Sequence, residues 1–270
     1  MRRLAILALA IGLVSATMAA EREPVDLELV LAIDVSGSID MEEARLQRQG
    51  YADAMRHPDV ISAIRGGEYQ KIAVSYFEWA DDYHKYQVLE WVAVGDRASA
   101  ELWAAALLDA PTRPGRRTSI SGAIDYAMPL YDRNPFVGRR KVLDISGDGP
   151  NNSGRIVTLA RDAALAKGIT INGLPIINDR LNPGGFPVMK DLDVYFEGCV
   201  IGGPGAFVVV AENFAAFGQA VRKKLILEIA NRQPSPWDRP ARFRRASYAG
   251  GCDIGERQSR DFWQRRWGPN

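Results

Sequence analysis

Residues 25–34 (VDLELVLAID) alternate at first and then turn apolar on both faces. That pattern belongs to a strand buried on both sides within a parallel sheet, not to one with a wet face. Such a strand needs helices above and below it, and the rest of the chain supplies them. A helix starts at Asp40, which stands three residues before Glu43 in capping-box spacing, and runs to about residue 55 ahead of Pro58. Residues 71–79 (KIAVSYFEW) and 86–94 read as strands joined by the short turn at Asp81-Asp82, which requires an antiparallel hairpin. A helix over 99–108 follows, with Leu102, Ala105, Ala106 and Leu108 as its apolar positions. After a Pro-, Gly- and Arg-rich loop at 111–117, a helix begins at Ser119 with Ala123, Ala127 and Leu130 on one face.

The second half repeats the alternation. Residues 140–146 form a strand that ends in the turn Gly147-Asp148-Gly149-Pro150. The next helix carries Ile156, Leu159, Ala163 and Ala166 and closes at Gly168. Residues 169–176 are a buried strand, 178–187 a loop, 191–200 a short helix and 206–210 a last strand. A helix striped by Phe214, Phe217, Val221 and Leu225 then ends near residue 230. This order predicts an α/β, Rossmann-like doubly wound fold. Its sheet is six-stranded and mostly parallel with an antiparallel edge strand, and helices cover both faces.

Length and composition fit a soluble core flanked by two different ends. The chain has 270 residues, 47% hydrophobic and 25% charged, with a net charge of +1. A balance so close to neutral gives no reason to expect a nucleic-acid partner. Arg2 and Arg3, an apolar run over 4–14 and a small-residue stretch over 15–20 have the layout of a signal peptide cleaved near Ala19 or Ala20. The reading is therefore an exported protein, periplasmic or secreted, whose mature part has no membrane-spanning segment. Its expected domains are a signal peptide over 1–20, an α/β domain over 21–230 and an Arg-, Trp- and Pro-rich extension over 231–270. The two cysteines, Cys199 and Cys252, allow one disulfide in an oxidising compartment, with two unpaired thiols as the alternative.

The chemistry collects at three places. Asp34, Ser36 and Ser38 lie in the turn after the first buried strand, Thr118 opens a helix, and Asp148 lies in the turn after another buried strand. In a parallel sheet the carboxyl ends of the strands open on one edge, where ligands bind. Two carboxylates and three hydroxyls are hard oxygen donors, a set suited to Mg²⁺ or Mn²⁺. Asp144, inside its strand, reads instead as a buried hydrogen-bonded group behind the site.

Asp34-x-Ser36-x-Ser38, Thr118 and Asp148-Gly149, in this order and on these elements, resemble the von Willebrand factor A domain with its metal-ion-dependent adhesion site (MIDAS). The resemblance implies that Ser36, Ser38 and Thr118 ligate Mg²⁺ directly and that Asp34 and Asp148 act mainly through water. It further implies a coordination position left for a Glu or Asp carboxylate of a protein partner. The stretches 147–152 (GDGPNN) and 199–205 (CVIGGPG) resemble an exported bacterial group of such domains of uncharacterised function. Arg116-Arg117 departs from the small residues more usual before that Thr.

Glu78, Trp79, Arg116, Arg117 and Asn151 are the candidate partner rim, and Asn151 and Asn152 also read as caps of the helix that follows. Two other functional classes compete with adhesion. A Mg²⁺-dependent phosphohydrolase would use Asp34, but the chain has no P-loop with Lys and no His in a recognisable nucleophile motif. A metal-independent envelope scaffold would need none of the five residues.

Overall fold

The computed structural model describes residues 21–177, 188–234 and 248–267. The signal-like residues 1–20, the predicted loop at 178–187 and part of the extension, 235–247, lie outside the described residues. In chain order the first half holds β1 (Glu23–Val25), β2 (Glu28–Asp34), α1 (Met41–Arg56), α2 (Pro58–Arg65), β3 (Ile72–Trp79), β4 (Lys85–Val94), α3 (Arg97–Asp109) and α4 (Ile120–Ala127). The second half holds β5 (Phe136–Gly138), β6 (Lys141–Gly147), α5 (Val157–Ala166), β7 (Ile169–Pro175), α6 (Leu192–Tyr195), which continues as a π-helical turn over Phe196–Val200, then α7 (Phe217–Ile229) and α8 (Ile254–Trp267).

The main sheet has the order β4-β3-β2-β6-β7. β3, β2, β6 and β7 are mutually parallel, and β4 closes one edge antiparallel to β3. β1 and β5 form a separate parallel pair. β2 lies at the centre and all seven of its residues are buried, as its apolar pattern predicts. Its side chains alternate between the two faces. Leu29, Leu31 and Ile33 join Tyr51, Met55, Trp103, Phe217 and Leu225 from α1, α3 and α7 on one side. Val30 and Ala32 join Ile120, Ile124, Val157, Tyr195 and Phe196 on the other. Each fully buried Leu, Ile or Phe contributes about 1.5–3 kcal/mol. Edge-to-face ring contacts run from Phe217 to Tyr51 to Tyr76 to Trp103, tying α7, α1, β3 and α3 together.

The α/β class and the antiparallel edge agree with the sequence reading, but the sixth strand does not form. The chain passes through Gly203 and Gly205 at positive φ and then meets the sheet only in isolated bridges, Gly173 with Val208 and Ile176 with Ala211. Two helix faces also differ from expectation. α3 buries Ala100, Trp103, Ala104 and Leu107, leaving Leu102 74% exposed, and α5 buries Val157, Ala160 and Ala164, leaving Leu159 56% exposed. In Ala-rich helices two faces satisfy the same spacing, and in α3 the large Trp103 goes to the inward one. Among the described residues no helix is long and apolar enough to cross a membrane.

Charge is buried in the core on the α7 side of the sheet. Lys224, fully buried on α7, has its ammonium 2.6 Å from Asp144 Oδ1 and donates to Glu228. Asn172 Nδ2 donates to Glu228 Oε1 at 2.9 Å, and the Phe207 amide donates to Asn172 Oδ1 at 3.0 Å. Asp144 therefore serves this ion cluster and not the ligand edge. Burial and the Glu228 charge push its carboxyl up to about 7, against the pull of Lys224. A carboxyl raised in the folded state favours folding most when protonated. Its contribution is full below about pH 4, the unfolded value, and is lost as pH rises through about 7. Urea unfolding is expected to give higher stability at about pH 5 than at about pH 8, with Asp144→Asn reducing the difference. Equal pH dependence in the two proteins would contradict this account.

Candidate functional site

Because β2 and β6 pair in parallel, with Ile33 opposite Ser146, their carboxyl ends finish together. Asp34 closes β2, and Asp148 follows the last residue of β6. The turn after β2 folds back on Asp34: the Ser36 amide donates to Asp34 Oδ1 at 2.7 Å. Asp40 then caps α1 in the expected capping box with Glu43, so the turn is held at both ends. Ser36 Oγ and Ser38 Oγ lie 3.2 Å apart, and Ser38 Oγ donates to Asp148 Oδ1 at 2.6 Å. Thr118 Oγ1 reaches Ser36 Oγ at 3.5 Å. The five residues singled out in the sequence thus meet at one edge, although Thr118 stands 82 residues from Ser36 and Asp148 stands 110 from Ser38.

The segment bearing Thr118 is held by backbone and amide contacts. Gly37 N–H donates to Arg116 O at 3.1 Å, and a Cβ on Gly37 would lie 2.9 Å from that same oxygen, so the approach needs glycine. The Thr118 amide donates to Asn152 Oδ1 at 3.0 Å, while the Asn152 amide donates to Thr118 O at 2.8 Å. Asn151 Oδ1 accepts from the Ser121 amide at 2.9 Å. These asparagines therefore satisfy N–H groups at the start of α4, not of the helix that follows them. α5 has Ile156 at its N-cap and no side-chain cap bond. Two short amides after a strand are a visible signal, but their target thirty residues earlier is not.

Burial and mutual charge dominate the electrostatics. The Asp34 carboxyl is raised well above its usual range, first by burial and then by the Asp148 charge, although bonds to Ser36 oppose the shift. Burial pushes Asp148 up to about 6, with the Ser38 hydroxyl pulling it back. Among the described residues no hydrogen-bond partner meets the buried Asp34 Oδ2. A carboxylate oxygen left so in an interior is costly unless a proton, a water or a cation meets it.

A hard divalent cation fits this donor set. An octahedral ion with oxygens at about 2.1 Å separates adjacent oxygens by about 3 Å, close to the 3.2 and 3.5 Å between the hydroxyls. Among the described residues no group of three or more His, Cys, Asp or Glu is arranged to hold a metal. A cation at this edge would therefore depend on hydroxyls and water beside the two carboxylates.

The expected rim needs correction. Glu78 and Trp79 have no exposed surface, and neither has Asn151, so none of the three can touch a partner. Glu78 instead receives Arg48 Nε at 2.7 Å and Arg48 Nη2 at 2.9 Å, and Arg48 Nη2 also bonds Pro111 O at 3.0 Å. Trp79 packs under Gly147, and its carbonyl accepts from the Val35 amide at 2.8 Å. Arg116 and Arg117 are exposed beside Thr118, as a rim requires. Cys199 and Cys252 form a disulfide with Cα atoms 5.4 Å apart.

A family model described as "Protein of unknown function (DUF1194)" matches residues 24–233. The chain belongs to the DUF1194 family. No curated protein matches it by sequence. Solved structures show the fold of this DUF1194 member to be that of von Willebrand factor A domains. One is a von Willebrand factor type A protein from Catenulispora acidiphila, at 14% identity and TM-score 0.51, covering 76% of this chain and 43% of that one. The pilus adhesin SpaC from Lactobacillus rhamnosus GG gives 13% identity and TM-score 0.53, with 77% and 31% coverage. Proximal thread matrix protein 1 from the mussel byssus, solved with a zinc-occupied MIDAS motif, gives 15% and 0.50, with 78% and 49% coverage. The chain thus spans about half or less of the length of each.

The Arg48–Glu78 pair offers a direct check on the corrected rim. Removing one partner of a buried, hydrogen-bonded pair costs about 3–5 kcal/mol. Glu78→Ala is expected to lose that much stability in urea, and a joint Arg48→Met, Glu78→Leu change to recover most of it. A Glu78→Ala protein as stable as the parent would return Glu78 to the surface.

Proposed function

We propose that this protein is an exported, metal-dependent binding protein that recognises an acidic group of a protein partner at the Asp34–Ser36–Ser38–Thr118–Asp148 edge. The convergence of three hydroxyls and two carboxylates at one sheet edge, where the buried Asp34 Oδ2 has no hydrogen-bond partner among the described residues, carries this reading. Ser36, Ser38 and Thr118 would hold Mg²⁺ or Mn²⁺ directly, and Asp34 and Asp148 through water. The bound ion would supply an electrophilic position for a partner's Glu or Asp carboxylate. Neutral hydroxyls add no charge, so two carboxylates balance the ion without quenching its pull on a further anion. Arg116 and Arg117 flank the edge and would draw an acidic surface toward it. The zinc-occupied MIDAS of the mussel thread protein and the adhesive role of SpaC lie on the same fold. Export follows from the signal-like residues 1–20 and fits the disulfide. Residues 21–230 would form the binding domain, with 231–270 an extension folded back on it.

Calorimetry of the mature protein with Mg²⁺ and Mn²⁺ tests the site. A ligand at about 100 times its Kd adds about 2.7 kcal/mol to the unfolding free energy. Wild type is expected to bind and to gain that stability, and Ser36→Ala and Asp148→Ala to lose most of both. Equal metal affinity in all three proteins would rule out this edge.

A further inference from the structure

The DUF1194 match ends at residue 233, yet the chain beyond it returns to the candidate site. The Cys199–Cys252 disulfide anchors the segment just before α8 to the π-helical turn after α6. Tyr248 adds a second anchor: its hydroxyl donates to Asp191 Oδ2 at 2.8 Å, and its ring meets Tyr195 edge-to-face at 5.6 Å. From there the first turn of α8 lies on the loop that follows Asp148. A Cβ on Gly255 would fall 2.1 Å from Asn151 O and 3.0 Å from Pro150 Cγ. Glu256 Oε1 accepts from Asn151 Nδ2 at 2.8 Å, and the same amide group donates to Arg155 O at 3.1 Å. With both Nδ2 hydrogens committed, Asn151 is oriented so that Oδ1 must face the Ser121 amide. Its own amide donates to Tyr195 Oη at 3.2 Å, closing the loop onto α6.

We propose that Glu256 is a positioning residue of the candidate site, held in place by the Cys199–Cys252 disulfide and acting through Asn151 on the segment Thr118–Ser121. The first N–H groups of a helix have no partner within it. At α4 the Ser121 amide finds one in Asn151, and the Thr118 amide finds one in Asn152 next to it. Glu256, together with Arg155 O, selects the Asn151 orientation that makes this possible. When the strap is released, Asn151 Nδ2 loses its carboxylate acceptor, the Gly255 contact opens, and Thr118 loses its fixed distance to Ser36. The consequence for metal rests on the reading above, whereas the ordering of residues 118–121 does not.

The test uses the full mature chain as Glu256→Ala, Glu256→Gln and the double Cys199→Ser, Cys252→Ser variant, with the folded wild type under mild thiol reduction as a fourth sample. Amide hydrogen exchange at Thr118 and Ser121 reads the positioning, and Mn²⁺ titration reads the site. Glu256→Ala, the double variant and the reduced protein are expected to exchange both amides at least about tenfold faster, with β2 and β6 protected as in wild type. Glu256→Gln, which keeps an oxygen toward Asn151, should remain near wild type. Outer hydrogen-bond partners of a metal site typically change affinity by about 10–100-fold, and a loss in that range is expected for Glu256→Ala, the double cysteine variant and the reduced protein. Unchanged exchange at Thr118 and Ser121 in Glu256→Ala and in the reduced protein would overturn the proposal. If wild type takes up no Mn²⁺, the metal reading fails and exchange alone decides the role of Glu256.

Discussion

The parallel pairing of β2 with β6 is the constraint on which the candidate site depends. With Ile33 opposite Ser146, the strands end side by side, and Asp34 meets Ser36 while Asp148 meets Ser38, whose hydroxyl lies 3.2 Å from that of Ser36. A shift of one residue in this register would turn Leu29, Leu31 and Ile33 toward the wrong helices and separate the carboxylates. The hydrophobic demand of the two faces therefore sets the geometry of the polar edge.

That geometry stores unfavourable electrostatics. Asp34 is buried and Asp148 half-buried beside it, and burial raises both carboxyls. The interior contains a comparable arrangement in Asp144, Lys224 and Glu228, but there a lysine is built in. At the edge, among the described residues, no Lys or Arg is ion-paired with Asp34 or Asp148, and Arg116 and Arg117 stand exposed beside it. The difference separates a charged cluster completed by the fold from one whose chemistry asks for something from outside.

Much of the site could be read from residue types and spacing. Asp34, Ser36 and Ser38 share one local turn, so sequence proximity alone joins them. Thr118 and Asp148 could be added because each stands at an element end that a parallel sheet brings to one edge. Glu78 and Trp79 were misread for a related reason. They also lie at a strand end, but Glu78 is covered by α1, whose Arg48 neutralises the carboxylate, and Trp79 turns to the other face among Ile120 and Val157; no local pattern announces either covering. Asn151 and Asn152 were visible as capping residues, but their partners lie across the loop, at α4.

The alternation of buried strand and helix, the capping box at Asp40 and the D-x-S-x-S turn were determined by the chain itself, because each depends on neighbours within a few residues. The lost sixth strand, the inward faces of α3 and α5, the pairing of Cys199 with Cys252 and the return of Glu256 to Asn151 were decided only in three dimensions. Each of these depends on which surfaces remain uncovered once the sheet has assembled, and that competition among distant segments leaves no periodic trace in the sequence.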